Sequence, residues 1–184
     1  MADTLPENFK LRPIKPGDKV TGFDLDDDNL PLRVFLKREA KGFHASNVVR
    51  TYVVIESPER APRQVWAFIS LMCSEVKLGD DYAIKDCPRA GRYGHLSAGK
   101  IARLAVDGKL QSQGIGSDLV NFAISLALEK IMPEIGCRFL TLDSKQKSVK
   151  FYLDNGFTLL DTDDNKNAVH KVMFMDLHKL KESI

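Results

Sequence analysis

Arg103-Leu104-Ala105-Val106-Asp107-Gly108-Lys109-Leu110-Gln111-Ser112-Gln113-Gly114-Ile115-Gly116-Ser117 reads as a buried strand, a short turn and a glycine-bearing loop that opens directly into a long apolar helix. Such a junction turns several backbone N–H groups toward one point at the positive end of a helix dipole, where a phosphate or pyrophosphate can sit. The strand runs over Lys100–Val106 and ends at Asp107-Gly108. Beyond the loop, Ile115, Leu119, Phe122, Ala123, Leu126 and Ile131 recur at helical spacing, and Val120, Ile124 and Leu128 widen the apolar face. The helix is therefore expected to be largely buried and to stop at Pro133.

Downstream, Phe139–Leu142 makes a short strand, Ser144–Asn155 a helix ended by Gly156, Phe157–Leu160 a strand, and Lys171–Leu177 a final strand before a frayed charged tail. Upstream, Phe9, Leu11 and Ile14 suit a short edge strand before the Pro16-Gly17 turn. The apolar set Leu30, Leu32, Val34, Phe35, Leu36 and Ala40 predicts a helix from about Asn29 to Gly42. Its aspartate-rich entry, Asp24 to Asp28, suits the dipole as a capping turn, and calcium-loop spacing is absent. Val48–Ile55 and Val65–Met72, joined by a proline-containing turn over Pro58–Arg63, predict an antiparallel hairpin. From Ser74 to Ala98 the periodicity weakens and glycines accumulate, Gly79 among them, as in functional or mobile segments. The expected class is mixed α/β with antiparallel and parallel parts, because the unit from Lys100 to Leu142 needs a parallel crossover.

At 184 residues the chain fits a single domain. With 27 basic and 25 acidic residues its net charge is +2, so nucleic-acid binding would have to use a local patch. Three cysteines without CxxC spacing and four scattered histidines indicate neither a disulfide framework nor a metal site. No segment resembles a signal peptide or approaches the roughly 18 to 20 apolar residues of a membrane span. A cytoplasmic protein with no membrane association is expected.

The loop lacks the Gly-Lys-Ser/Thr ending of a nucleotide-hydrolase loop, and Leu119 stands where a dinucleotide fingerprint has its third glycine. What remains, Gln111-x-x-Gly114-x-Gly116, resembles the Gln/Arg-x-x-Gly-x-Gly/Ala loop of the GNAT superfamily of acetyl-CoA-dependent N-acetyltransferases. Phe151-Tyr152-Leu153-Asp154-Asn155-Gly156-Phe157 is similar to that family's Phe-Tyr-x-x-x-Gly-Phe segment. The resemblance implies a splayed mixed β-sheet flanked by helices, one domain over 1–184 and a cofactor-binding core about 99–160. Phe23-Asp24, the Leu32-x-x-Phe35-Leu36 helix, Thr51–Val54 and Ala102–Asp107 look like the branch that contains tRNA-acetylating toxins. Leu25-Asp26 departs from the Cys-Gly frequent there, and Lys145 stands where the family often has asparagine.

The implied reaction is attack of a neutral amine on the thioester carbonyl of acetyl-CoA. The backbone of Leu104, Ala105 and Val106 would lie along the pantetheine arm and supply an N–H to the developing oxyanion. The cofactor-binding loop would be Gln111, Ser112, Gln113, Gly114, Ile115, Gly116 and Ser117, with the backbone N–H groups of Gln113 to Ser117 cradling the pyrophosphate and Gly114 and Gly116 permitting close approach. Tyr152 is the candidate general acid for the departing sulfur, or else a hydrogen-bond partner of the cofactor. For a base, Glu75 and Asp107 near strand ends and His95 in the insert are candidates, each also readable as a surface side chain.

A lysine side chain costs roughly 4 to 5 kcal/mol to deprotonate at pH 7 and an α-amine about 1, so a low-pKa amine is the expected acceptor. The acceptor alternatives are a small molecule, a protein N-terminus or an aminoacyl-tRNA. For the last, Lys37, Arg38 and Lys41, Arg89 and Arg92, and Lys145, Lys147 and Lys150 are the available basic clusters, with Tyr93 the one aromatic among them. The toxin-like branch implies an antitoxin partner, and a homodimer is also compatible. A non-catalytic acyl-CoA-binding module is the alternative to an enzyme.

Overall fold

A computed structural model describes residues 5–59, 63–78, 82 and 84–183. Gly79 and the middle of the Pro58–Arg63 turn lie outside the described residues. The chain forms two compact units. One is built from the residues up to Met72 together with Ala102–Phe122, the other from Cys73–Ile101 and Ala123 onward.

In the first unit, β1 (Phe9–Pro13) pairs antiparallel with β2 (Arg50–Glu56), and β2 with β3 (Ala67–Val76), in the register Arg50↔Leu71 to Val54↔Ala67. The expected hairpin is thus present. Alternation along β2 sends Val53 and Ile55 into a core with Phe23, Phe35, Leu36, Phe68 and Ala105. Phe23 meets the Phe68 ring edge-on at 5.7 Å. The single helix expected over 29–42 is instead a 3-10 turn, Asp27–Asn29, then α1 (Leu30–Arg38) and α2 (Ala40–Ala45). The break falls at Glu39, whose φ of −117° leaves helical geometry. Across the break, Phe43 of α2 meets the Phe35 ring edge-on at 5.9 Å, and Leu36 and Ala40 are both buried. Asp26 caps the 3-10 turn by accepting the Asn29 N–H at 3.1 Å, so the acidic run does serve as a cap.

The second unit carries β4 (Leu96–Val106) at its Leu96–Ile101 end, β5 (Phe139–Lys145), β6 (Thr158–Leu159) and β7 (His170–Asp176), hydrogen-bonded in the order β4-β5-β7-β6. β4 and β5 are parallel and β5–β7 antiparallel, giving the expected mixed sheet. The parallel ladder runs from Ala98↔Phe139 to Ile101↔Leu142 and stops, although β4 continues to Val106 and β5 to Lys145. That early stop is the splay of a GNAT-like sheet.

α3 (Ile115–Leu126) occupies the predicted helix and gives way to a π-helical turn over Ala127–Ile131. The predicted helix from Ser144 begins later, as α4 (Val149–Asp154), because β5 takes the residues up to Lys145 and a 3-10 turn the next three. Two helices have no periodic signal in the sequence. α5 (Asp163–Asn167) hangs on the buried Asn165, which donates to the Leu160 and Val172 carbonyls at 2.8 and 3.0 Å and accepts the Val172 N–H at 2.7 Å. α6 (Leu177–Glu182) replaces the frayed tail, since Asp176 accepts the N–H groups of His178 and Lys179.

Much of the segment expected to be irregular, 74–98, is anchored. β3 extends to Val76, β4 begins at Leu96, and Pro88–Arg92 forms a 3-10 turn. The Tyr82 ring packs edge-on against Phe174 at 5.1 Å and its hydroxyl donates to Asp176 at 2.9 Å. Arg138 donates to Asp86 from the Nη1/Nη2 edge of its guanidinium and to Asp176 from the Nε/Nη2 edge.

Candidate functional site

The chemistry-bearing loop is held by Asp107, which is almost wholly buried. One carboxylate oxygen accepts the Lys109 N–H at 3.0 Å, capping the 3-10 turn Gly108–Leu110, and the other accepts the Asp24 N–H at 2.9 Å. Its own N–H donates to the Trp66 carbonyl at 2.8 Å, and the Gly108 N–H to the Asp24 carbonyl at 3.1 Å. Both carboxylate oxygens are thus committed to backbone donors. Asp107 is neither a surface charge nor a base: it is the anchor of the turn.

From this anchor the chain rises into exposed loop residues, Gln111 to Gly114, before Ile115 plunges back into the core. Gln111 folds back so that its side-chain amide donates to the Val106 carbonyl at 3.1 Å, tying the loop to the end of β4. Gln113 donates likewise to the Lys109 carbonyl at 3.3 Å. Ser112 and Gly114 have φ of +62° and +86°. At Gly114 that conformation favours glycine, and a Cβ there would meet nothing within 4 Å. The Asp118 N–H bonds the Gly114 carbonyl at 3.1 Å, so Ile115, Gly116 and Ser117 form the first turn of α3, where N–H groups lack partners within the helix. The structure therefore puts an open, glycine-lined approach at the start of a helix of 12 residues. A pyrophosphate fits such a cradle on chemical grounds.

On β4, Ala105 faces the core of the first unit while Leu104 and Val106 are half-buried. Arg103 lays its guanidinium over the Phe35 ring at 3.8 Å, a contact that the sequence analysis missed. Only the pairing of strand and helix brings those two residues together.

Tyr152 belongs to the second unit, on α4, with its ring against Phe151 and Phe157 at 5.0 and 5.8 Å. Gly156, at φ +84°, makes the turn that returns Phe157 under the tyrosine. The residue is half-buried, but its hydroxyl is shielded enough for burial to push its pKa up to about 12. It stays protonated throughout the neutral range.

Glu75 and His95 also lie in the second unit, His95 Nε2 standing 3.9 Å from Glu75 Oε1. They line one cavity together with an ion pair absent from the sequence reading, Lys100 to Asp143 at 2.6 Å. No local signal marks that pair, since its members are 43 positions apart and meet through the β4–β5 register. Among the described residues, no group of three or more His, Cys, Asp or Glu side chains is gathered for a metal. None of the described helices is long and apolar enough to cross a membrane.

The basic clusters divide by role. Lys37 and Arg38 are exposed at the end of α1, whereas Lys41 donates to the carbonyls of Pro16 and Asp18 at 2.7 Å each and so ties down a turn. Lys150 pairs with Asp154 at 2.9 Å. Arg89 and Arg92 sit on the exposed 3-10 turn beside the exposed Tyr93.

Comparison with known proteins bears on both motifs. Residues 64–159 match the acetyltransferase (GNAT) domain family. No curated protein sequence matches the chain. Among solved structures, a tyrosine-to-phenylalanine mutant of KacT superposes with a TM-score of 0.81 at 20% identity, covering 97% of this chain and 100% of its own. AtaT complexed with acetyl-methionyl-tRNAfMet gives 0.79 at 20% identity, over 95% and 98% of the two chains. A tyrosine-to-phenylalanine mutant of the AtaT toxin, bound to the C-terminus of the antitoxin AtaR and acetyl-CoA, gives 0.74 at 19%, over 96% and 98%. At these identities the likeness shows a shared fold.

Proposed function

Because the chain belongs to the acetyltransferase (GNAT) domain family, we propose that it acetylates the α-amine of an aminoacyl-tRNA with acetyl-CoA as donor. The observation that carries the donor is the loop: an exposed Gly114 at positive φ opens a helix whose first N–H groups have no helical partners. The acceptor reading is supported by the extent of the likeness to AtaT complexed with acetyl-methionyl-tRNAfMet, which spans nearly the whole of both chains. An α-amine also needs less deprotonation at neutral pH than a lysine side chain. Acetyl-CoA, when bound, supplies an activated acetyl thioester.

The remaining roles belong to the chain. Gln113 to Ser117 would bind the pyrophosphate through backbone N–H groups, Gln111 and Ser112 shaping the loop that presents them. Leu104, Ala105 and Val106 would hold the pantetheine and offer an N–H where negative charge develops on the carbonyl oxygen. Tyr152 would donate to the departing sulfur. With its pKa near 12, complete transfer to a thiolate of about 8.5 in water is uphill by about 5 kcal/mol. Its role is therefore a strong hydrogen bond that becomes transfer as the sulfur is itself desolvated.

The antitoxin-bound relative supports a small antitoxin as partner of this chain. A cytoplasmic location follows from the proposed substrates. The chain is proposed to work as one acetyltransferase domain, with its cofactor-binding core about 99–160.

The test is direct. Purified protein with radiolabelled acetyl-CoA should label charged tRNA and leave deacylated tRNA unlabelled; equal labelling of both, or of neither, would refute the acceptor. Persistent labelling of free amines in the second case would retain the transferase with a small-amine acceptor.

A further inference from the structure

The ladder between β1 and β2 runs to Pro13↔Tyr52, and at the next position Ile14 gives its N–H to the Thr51 carbonyl at 3.0 Å. In an antiparallel pair the Thr51 N–H would return to Ile14. Instead it donates to Nδ1 of His44, on α2, at 3.0 Å. Thr51 is fully buried, with its hydroxyl joined to that of Ser70 at 2.9 Å. Without the imidazole its N–H would be a buried orphan.

A tight return of the chain delivers that imidazole. Val48 donates its N–H to the Phe43 carbonyl at 3.0 Å, Asn47 takes φ of +57°, and the Asn47 side chain accepts from the Arg50 guanidinium at 3.0 Å. A ring nitrogen that accepts an N–H carries no proton, so His44 is neutral with its hydrogen on Nε2. The charged groups on the adjoining segments are mostly engaged elsewhere. Asp18 is taken by Arg12 and the Lys15 N–H, and Lys41 by the carbonyls of Pro16 and Asp18. Lys15 and Glu39 are exposed. Burial, and then the Arg50 charge, hold the His44 pKa below its ordinary 6.5, and among the described residues no carboxylate offsets them.

We propose that His44 is an acid-released latch between α2 and the sheet: neutral, it accepts the Thr51 N–H and closes the joint; protonated, it lets the last turn of α2 lift away. A proton taken from water onto Nδ1 turns the acceptor into a donor, so two N–H groups face each other and the contact must open. The new charge also stands near Arg50. With a lowered pKa, the closed joint is fully favoured above 6.5 and is lost as the pH falls through the lowered value. Opening has a route inward. Phe43, beside His44, meets Phe35 edge-on at 5.9 Å, and Arg103 of β4 lies over the Phe35 ring at 3.8 Å. Mild acid thereby loosens the packing that braces the strand before the glycine loop. The latch is independent of the acetyl transfer proposed above, because its readouts are structural.

Amide exchange on the whole chain at pH 7.5 and 5.0, corrected for the intrinsic pH dependence, is the test. The protection factor of the Thr51 N–H should fall at least tenfold between the two, while that of Val54, further along the same strand, stays within twofold. His44→Asn, whose side-chain oxygen can stand where Nδ1 stands and does not titrate, should keep the Thr51 protection level across the same range. In the parent, the imidazole nitrogen spectrum at pH 7.5 should show the proton on Nε2. Equal Thr51 protection at both pH values overturns the latch, as does a proton found on Nδ1 at pH 7.5. A fall in His44→Asn as large as the parent's assigns the acid response to another group and overturns it too. Parallel loss at Thr51 and Val54 would mark general acid unfolding and likewise refute it.

Discussion

Asp107 accepts the backbone N–H of Asp24 at 2.9 Å, so the turn that launches the loop is fastened to a residue 83 positions earlier. Asp107→Ala would leave the N–H groups of Asp24 and Lys109 without this acceptor. The expected cost is about 2 to 4 kcal/mol, read by urea denaturation, from two lost hydrogen bonds to a charged acceptor. Because the same carboxylate shapes the loop, the affinity for acetyl-CoA should fall as well. Unaltered stability would contradict the anchoring role.

The buried hydroxyl of Tyr152 predicts a particular alkaline behaviour. Its pKa lies above the ordinary tyrosine value of 10.0, at about 12. Folding therefore favours the neutral form, and the associated stability is complete below pH 10 and lost as the pH rises through 12. The amount at stake is about 2 to 3 kcal/mol. Tyr152→Phe should lose that part of the alkaline instability, keep its fold, and show kcat lowered at least tenfold at saturating acetyl-CoA. An unchanged kcat would remove the tyrosine from the reaction.

Asn165 takes the place of a neighbouring strand for one stretch of β7. Its amide serves both the N–H and the C=O of Val172 and also the Leu160 carbonyl. Asn165→Leu, similar in size but without polar atoms, should destabilise by about 1 to 3 kcal/mol, since it leaves the Val172 N–H without its acceptor, while the Val172 and Leu160 carbonyls keep the N–H groups of Leu160 and Thr162. Amide exchange at Val172 should accelerate in step, and protection there equal to the parent's would count against the account.

Arg138 predicts an acid limit. The guanidinium holds the Asp86 carboxyl down at about 2 and lowers that of Asp176 despite its burial. For depressed carboxylates the stabilisation is present above the ordinary value near 3.8 and lost as the pH falls toward 2. Arg138→Gln should flatten that acid transition and expose the Ile84–Tyr93 stretch to limited proteolysis at neutral pH. Proteolysis unchanged from the parent would show that Arg138 does not hold the stretch.

The helix after the loop was legible because Ile115, Leu119, Phe122 and Ala123 repeat along one face, a signal contained in the segment itself. The break at Glu39 was not, since the apolar set Leu32, Phe35, Leu36 and Ala40 keeps helical spacing straight through it. α6 was missed for a related reason: its charged residues lack a strong stripe, and its start depends on the Asp176 carboxylate. Asp107 reads in the sequence as a strand-end acid, whereas in the fold its two oxygens are spent on backbone donors.

The sequence by itself determined the mixed class, the β2–β3 hairpin, the parallel β4–β5 unit and the glycine loop, because each depends on periodicity or turn chemistry within a few consecutive residues. Only the tertiary structure decided that Asp107 anchors the loop, that the insert is pinned through Arg138, and that Lys100 meets Asp143 beside Glu75 and His95. Those pairings are set by strand register and by burial, which sum contributions from segments far apart in the chain. No local pattern encodes them.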